Sequence, residues 1–456
     1  LEQLQKNKTY IMTIDNLNSE GAGVGRINGM VVFVPLALPG EEIEVLIIKA
    51  SKSYCVGKLQ RVLKASSSRV EPPCPFYVRC GGCVLQHMEY QAQLRAKRHH
   101  TEETLSRISH LPIKIEQFIG MDNPWEYRNK AQLPIGKKSD GSTAIGFFAR
   151  RSHDIIDINA CMLQEKSCSA VIAAVRKAIA MTGTLIYDEE KHIGLLRHIV
   201  VRVSFSTGKL MLILVTNGNA LPQKEKWIAL LRAELPQMES LVQNINTQRG
   251  NIILGNSCVT LWGKDTITDS LYGIEFELSP LSFLQVNPVQ AEKLYEQAIE
   301  KAGLTGNELV LDAYCGIGIM TQLLAKRAKK AIGVEIIPQA IEAAKASAIK
   351  NGVENVEFLC GACEEVLPRL IKEGMRPDVL VVDPPRAGCD AALLKAIAEA
   401  KINKIVYVSC DPSTLAKDIA LLAEYGYNTS PVTCVDMFPM TGHVESVMLI
   451  TLADKK

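Results

Sequence analysis

Three groups of residues in this 456-residue chain combine types and spacings that could do chemistry. The first is the turn Asp312-Ala313-Tyr314-Cys315-Gly316-Ile317-Gly318, which follows the apolar run Leu309-Val310-Leu311. Glycines there let the backbone approach a ligand closely and turn into a helix. The third glycine of the dinucleotide fingerprint is absent, with Thr321 in its place, which counts against NAD. Glu335 ends the next apolar run, where a carboxylate can accept hydrogen bonds from both hydroxyls of a ribose; Gly316, Gly318 and Glu335 together predict a ribose-binding site. The second group is Cys74, Cys80 and Cys83, spaced x5 and x2, with Cys161 much later. Pro72-Pro73-Cys74-Pro75 and Gly81-Gly82 form tight turns around them, and four thiolates suit zinc or an iron–sulfur cluster. Spacing alone leans to zinc, the commoner of the two. The third is Ser409-Cys410-Asp411-Pro412, where a proline turn after a strand-like run keeps the Cys410 thiol exposed at a sheet edge. Cys315, inside the glycine turn, and Cys389, in a later loop, are rival thiols.

The elements that must position these groups change along the chain. Up to about Val70, short β-rich runs alternate with glycine turns, as in Tyr10–Ile14, Gly21–Gly25 and Val31–Val34, which predicts a small β-barrel. The cysteine-rich segment comes next, then a basic stretch of helical character. From about Trp125 to Trp262, strand patterns such as His198–Val203 and Leu210–Val215 predict a central α+β domain. From about Phe276 strands alternate with helices, the pattern of a doubly wound parallel sheet whose ligands sit beyond the carboxyl ends of its strands.

Composition narrows the classes further. The length predicts two or three domains. The start Leu1-Glu2-Gln3-Leu4-Gln5-Lys6 has no apolar core like that of a signal peptide, and no run of about 18 apolar residues predicts a membrane span, so a cytoplasmic protein is expected. The formal charge of +2 argues against a protein that is basic overall, but Lys49, Lys52, Lys58, Arg61, Lys64 and Arg69 meet no acid before Glu71, and Arg95–His100 is a second basic cluster. Either is a candidate RNA-backbone contact. The 13 cysteines of a chain without a secretion signal should mostly be reduced thiols.

Further segments sharpen the assignment. Ser282-Phe283-Leu284-Gln285-Val286-Asn287, Asp383-Pro384-Pro385-Arg386, Val408-Ser409-Cys410-Asp411-Pro412 and Thr441-Gly442-His443-Val444-Glu445-Ser446-Val447 occur in this order with the glycine turn between. In order and register they resemble the RNA uridine-C5 methyltransferase family, closest to the bacterial 23S ribosomal RNA members, and Gly21–Gly40 looks like a TRAM barrel. The resemblance implies an α/β architecture: residues 1–70 an oligonucleotide-binding-type TRAM barrel, 71–265 a central α+β domain with the cysteine cluster, and 266–456 a Rossmann-like S-adenosylmethionine-dependent methyltransferase domain. The helical segment about 90–120 is a candidate to pack on the catalytic domain. It further implies that Gln285, Tyr314, Glu335 and Asp383 line the S-adenosylmethionine site, that Cys410 is the nucleophile and Glu445 the base, and that the cysteines hold a 4Fe–4S cluster. Ile319 departs from the pattern, since a family member has a cofactor-holding asparagine there.

The implied chemistry is coherent. Uridine C5 is a poor carbon nucleophile until a thiolate adds to C6, and a base must later remove the C5 proton so that the thiol can leave. His443 is the rival base to Glu445. The target uridine must leave its stack, so a flipped base or loop is implied. Ribosomal RNA is the expected partner, with transfer RNA as the alternative, and no obligate protein partner is implied. An iron–sulfur RNA-binding or redox-sensing protein on an inactive methyltransferase fold is the rival of another class. A cysteine-using DNA cytosine methyltransferase fits poorly, because its Pro-Cys segment comes soon after the cofactor turn.

Overall fold

The computed structural model describes residues 4–453. The chain forms two compact units that cut across its order. One holds the chain up to Pro124 with Pro385–Gly388 and Ser409–Met448; the other holds Trp125–Pro384, Cys389–Val408 and the chain from Leu449 onward.

The first unit begins with a six-stranded sheet in the order Thr9–Thr13, Glu42–Ala50, Tyr54–Lys64, Met30–Val34, Gly23–Ile27, Asn16–Leu17. Alternation sends Ile43, Val45 and Ile47 inward, where they meet Ile14, Val32 and Val34 in one core. Gly57 faces Val45 so closely that a Cβ would stand 2.2 Å from its methyl, so strand packing itself demands glycine there. Glu41 is fully buried and accepts two hydrogen bonds from the Arg69 guanidinium, at 2.5 and 2.7 Å. Burial pushes the Glu41 carboxyl up, but Arg69 and the Leu38 N–H outweigh it and hold it below its usual value. Arg69 therefore leaves the basic run of the barrel, while Lys49, Lys52, Lys58, Arg61 and Lys64 remain exposed.

The Tyr90–Ser109 helix starts at Glu89, whose carboxylate accepts from the Gln91 and Ala92 N–H groups, and ends at His110 in the left-handed conformation. It packs against the Pro412–Glu424 helix, and the Ile115–Ile119 strand after it pairs in parallel with Val432–Val435. The face it buries is unusual, for it includes Gln93, Lys97, Thr101 and Thr104. The expected basic surface of this helix is corrected by that burial. Lys97 is buried against Asp436, and Arg98 donates to the Ile115 carbonyl; of this cluster only Arg95 and His99 are exposed.

The second unit contains a seven-stranded mixed sheet, Ile155–Asp157, Thr143–Phe148, Lys130–Lys137, Leu196–Val203, Leu210–Thr216, Met238–Ile245, Ser257–Gly263. The helices Ser167–Thr182 and Lys224–Glu234 pack on each other beside it. It also contains the parallel strands Val356–Cys360, Lys330–Glu335, Leu309–Ala313, Val379–Val382 and Lys404–Ser409, in that spatial order, with Ser409 the one residue assigned to the first unit. The apolar runs of the four inner strands are buried almost throughout, as parallel strands require, whereas the edge strand Val356–Cys360 buries only Phe358. The order reverses between Leu309–Ala313 and its neighbours, placing a crevice at the carboxyl end of that strand. No described helix is long and apolar enough to cross a membrane.

Candidate active site

A cleft lies at that reversal, lined among others by Phe283, Gln285, Asp312, Tyr314, Gly316, Ile319, Asp383 and Val408. Its floor is the glycine turn. Gly316 and Gly318 have φ of 54° and 76°, and a Cβ on Gly316 would enter open space, so the backbone there is bare. A Cβ on Gly318 would stand 2.6 Å from the Phe358 ring. Glu335 accepts from the Gly316 N–H at 3.1 Å and the Ile337 N–H at 3.0 Å, which fixes its carboxylate beside the turn. A carboxylate has about four acceptor sites, so two stay available for ribose hydroxyls. Ile319, where the family member has asparagine, is buried and lines the same cleft.

Gln285 is held from behind. The Asn129 side chain donates to the Gln285 carbonyl at 3.1 Å, and the Asn129 N–H donates to the Val286 carbonyl at 2.9 Å. Asn287 then caps the Pro288–Ala302 helix. Sequence reasoning missed Asn129, since a lone polar residue at a strand start gives no signal of a partner 156 positions away.

Two carboxyl groups in the cleft are perturbed. Burial raises Asp312 to about 7, with Asp383 and Glu335 adding to the rise, although the Thr321 hydroxyl donates to Asp312 at 2.5 Å and opposes it. Thr321 thus has a use at the position where a dinucleotide fold would carry glycine. Burial alone raises Asp383 to about 7. Burial also pushes the Cys315 thiol far up, with Asp312 reinforcing it, which leaves Cys315 a poor nucleophile.

Cys410 and Glu445 belong to the first unit. Cys410 follows the Lys404–Ser409 strand and is half-exposed, two residues along the chain from Val408 of the cleft. Its turn is pinned on both sides: Ser409 Oγ donates to the Asp411 carbonyl at 3.0 Å, and the Asp411 carboxylate accepts from the Ser413 N–H at 2.7 Å to cap the Pro412–Glu424 helix. Glu445 is buried at 3% exposure at the start of its strand, whereas His443 is exposed, its ring edge-on to Phe438 at 6.0 Å. The loop before Glu445 is gripped by the Val84 and Leu85 N–H groups, which donate to the Met440 carbonyl at 2.9 and 3.1 Å. Gly442 abuts the barrel so tightly that a Cβ would stand 2.1 Å from the Ser19 carbonyl oxygen.

The cysteine group fares differently. Cys74, Cys80 and Cys83 belong to the first unit and Cys161 to the second. The Cys80 N–H donates to the Phe76 carbonyl at 2.7 Å and the Gly82 N–H to Cys80 Sγ at 3.4 Å, a contact suited to a thiolate. Among the described residues, however, no three Cys, His, Asp or Glu side chains gather where they could hold a metal ion.

A bare glycine turn, an acid fixed beside it at the end of the next parallel strand and a cleft at the same sheet edge are the build of S-adenosylmethionine-dependent methyltransferases. Residues 89–453 match the family described as tRNA (uracil-5-)-methyltransferase, and residues 3–59 match the TRAM domain. The chain belongs to this uracil-5-methyltransferase family. It is 48% identical over 454 residues to an "uncharacterized RNA methyltransferase" of Clostridium tetani, covering 99% of this chain and 98% of that one. A Listeria innocua protein described in the same words is 48% identical over 449 residues, 98% of this chain and 99% of its own. Among solved structures, the Pyrococcus abyssi tRNA (uracil-54, C5)-methyltransferase in complex with S-adenosyl-L-homocysteine superposes with a TM-score of 0.78 at 29% identity, covering 97% of this chain and all 100% of that one. The protein is an S-adenosylmethionine-dependent RNA uracil-5-methyltransferase with an N-terminal TRAM domain.

Proposed function

We propose that the chain methylates C5 of a flipped uridine in 23S ribosomal RNA through a covalent adduct on Cys410, with Glu445 as the base. The half-exposed Cys410 thiol, held at a capped turn directly after a catalytic-sheet strand, is the observation that carries this reading. The Cys410 thiolate adds to C6, and the electron pair of the C5–C6 bond makes C5 nucleophilic. S-adenosylmethionine, which Gln285, Tyr314, Gly316, Gly318, Glu335 and Asp383 would hold, would supply the methyl group to C5, the broken sulfur–methyl bond leaving S-adenosylhomocysteine. The Glu445 carboxylate then removes the C5 proton, and the released electron pair re-forms the C5–C6 double bond and expels the Cys410 sulfur.

Glu445→Gln tests the order of these steps. The adduct should accumulate, survive denaturing electrophoresis and already carry the methyl group, because loss of general-base help costs about 10²–10⁴ in rate. Normal turnover by that variant would transfer the role to His443 or water, and near-normal activity of Cys410→Ser would end the covalent mechanism.

Ribosomal RNA is supported by the family resemblance that joins a TRAM barrel to this cysteine spacing. The whole-chain likeness to the Pyrococcus abyssi enzyme favours transfer RNA as the second reading. Mapping 5-methyluridine in both RNAs from cells lacking the protein decides between them. The functional division we adopt is barrel 1–70, central domain 71–265 and catalytic domain 266–456. A 4Fe–4S cluster on Cys74, Cys80, Cys83 and Cys161 would brace the central domain, and no step of methyl transfer passes through it. Anaerobically purified protein should then be brown and contain iron and sulfide, with the colour lost in Cys83→Ser; colourless protein carrying stoichiometric zinc would replace the cluster by that metal.

A further inference from the structure

We infer that Lys130 and Arg202 form a phosphate subsite that holds the RNA backbone beside the target nucleotide. Lys130 opens the Lys130–Lys137 strand and is paired directly with Arg202 on the antiparallel Leu196–Val203 strand, so both side chains leave the same face of the sheet. Like charges directly opposite each other destabilise a sheet. Arg202 is 3% exposed. Its Nη2 donates to the carbonyls of Pro280 and Ser282, while its Nε has no partner. The Lys130 side chain is half-buried and makes neither an ion pair nor a hydrogen bond among the described residues. Burial brings Arg202 down to about 10, and burial with the Arg202 charge brings Lys130 down to about 8; no carboxylate offsets either. Two adjacent cations withdrawn from water without an acid cost free energy in the free protein, and an anion bound there would recover it.

The anion is identified by what surrounds the pair. Arg202 fastens the loop that continues into Phe283, Leu284 and Gln285 of the cleft, and Asn129, next to Lys130, fastens Gln285. The pair thus borders the loop that forms one wall of the cofactor cleft. Neither cation lines that cleft, so the carboxylate of the cofactor is not its occupant. The polyanion that must pass this wall to deliver a uridine is RNA, and its phosphodiester is the group that two adjacent donors recognise. The assignment rests on the RNA-methylating activity but not on which RNA is modified.

Lys130→Gln and Lys130→Arg in the full chain test it, with a short oligouridylate as probe, binding measured across salt concentrations, and S-adenosylmethionine affinity measured by calorimetry. Lys130→Gln should weaken oligouridylate binding about tenfold. It should also lower the slope of log affinity against log salt by about 0.7, the share of one phosphate on a single strand. Lys130→Arg should restore both, and cofactor affinity should stay unchanged. Lys130→Gln should also melt no lower than wild type, because it relieves a repulsion, which a merely structural lysine would not do. Unchanged RNA binding, or a loss of cofactor affinity in its place, overturns the subsite. Wild-type protein that methylates neither ribosomal nor transfer RNA, while Lys130→Gln still shows the binding loss, would sink the substrate reading and leave the subsite standing.

Discussion

The Lys97–Asp436 pair offers a direct measure of how the helix and the C-terminal strands of the first unit are joined. Lys97 Nζ lies 2.6 Å from Asp436 Oδ1, with side-chain exposures of 3% and 0%, and it also donates to the Phe438 carbonyl at 3.1 Å. The Tyr90 hydroxyl donates to the other Asp436 oxygen at 2.9 Å. Burial lowers the Lys97 pKa and Asp436 counters it. Lys97→Met keeps the volume of the stem, so the cavity contribution is small and the loss is electrostatic. It removes two hydrogen bonds and leaves a carboxylate in a dry site, for which about 3–5 kcal/mol is the cost of breaking such a pair from one side. Adding Asp436→Asn removes the stranded charge while keeping an acceptor for Tyr90, and should recover more than half of the loss. The assay must report on the right unit, because Trp125, Trp227 and Trp262 all lie in the other one. Hydrogen exchange of the Tyr90–Ser109 amides in a urea series does so, with tryptophan fluorescence as the control. A cost below about 1 kcal/mol, the range of surface pairs, would show that water reaches the pair and refute the reasoning.

Three further outcomes are expected. Gly318→Ala combines a left-handed backbone, which costs about 1–2 kcal/mol outside glycine, with an overpacked contact on Phe358 worth about 1–3 kcal/mol more, so melting temperature and cofactor affinity should both fall, and a wild-type melt would contradict the strain. Asp312 and Asp383 are neutral below about 7 and ionised above it, so affinity for the cationic S-adenosylmethionine should rise as pH goes from 6 to 8 and level off beyond; a flat calorimetric profile would remove them from cofactor binding. Lys52→Ala and Lys58→Ala should each reduce the salt dependence of RNA binding, whereas Arg98→Ala should change stability and not the salt slope, since its guanidinium is spent on the Ile115 carbonyl.

What the sequence made legible follows from physical range. The glycine turn and Glu335 were readable because strand, turn and acid are local, and period-two or fully apolar runs mark their strands. The barrel was readable for the same reason. The meaning of Arg95–His100 was not, because whether a lysine on a helix meets water or a buried aspartate 339 residues away is decided by tertiary packing alone. The parallel pairing of Ile115–Ile119 with Val432–Val435 was equally hidden, since neither strand carries a mark of its partner. Lys130 and Arg202 look like ordinary strand cations until their register is known.

The abutment of Gly442 on Ser19 bears on how such a protein can change over generations. A barrel loop and the loop before Glu445 touch backbone to backbone, with no side chain between them to be trimmed or enlarged. A lineage that altered the barrel turn would disturb the stretch leading into Glu445 in the same stroke, and any residue larger than glycine at 442 would first require the barrel to retreat. The barrel cannot be exchanged like a detachable cassette. Barrel turn and Glu445 loop are inherited as one fitted joint, so neither is free to drift without the other.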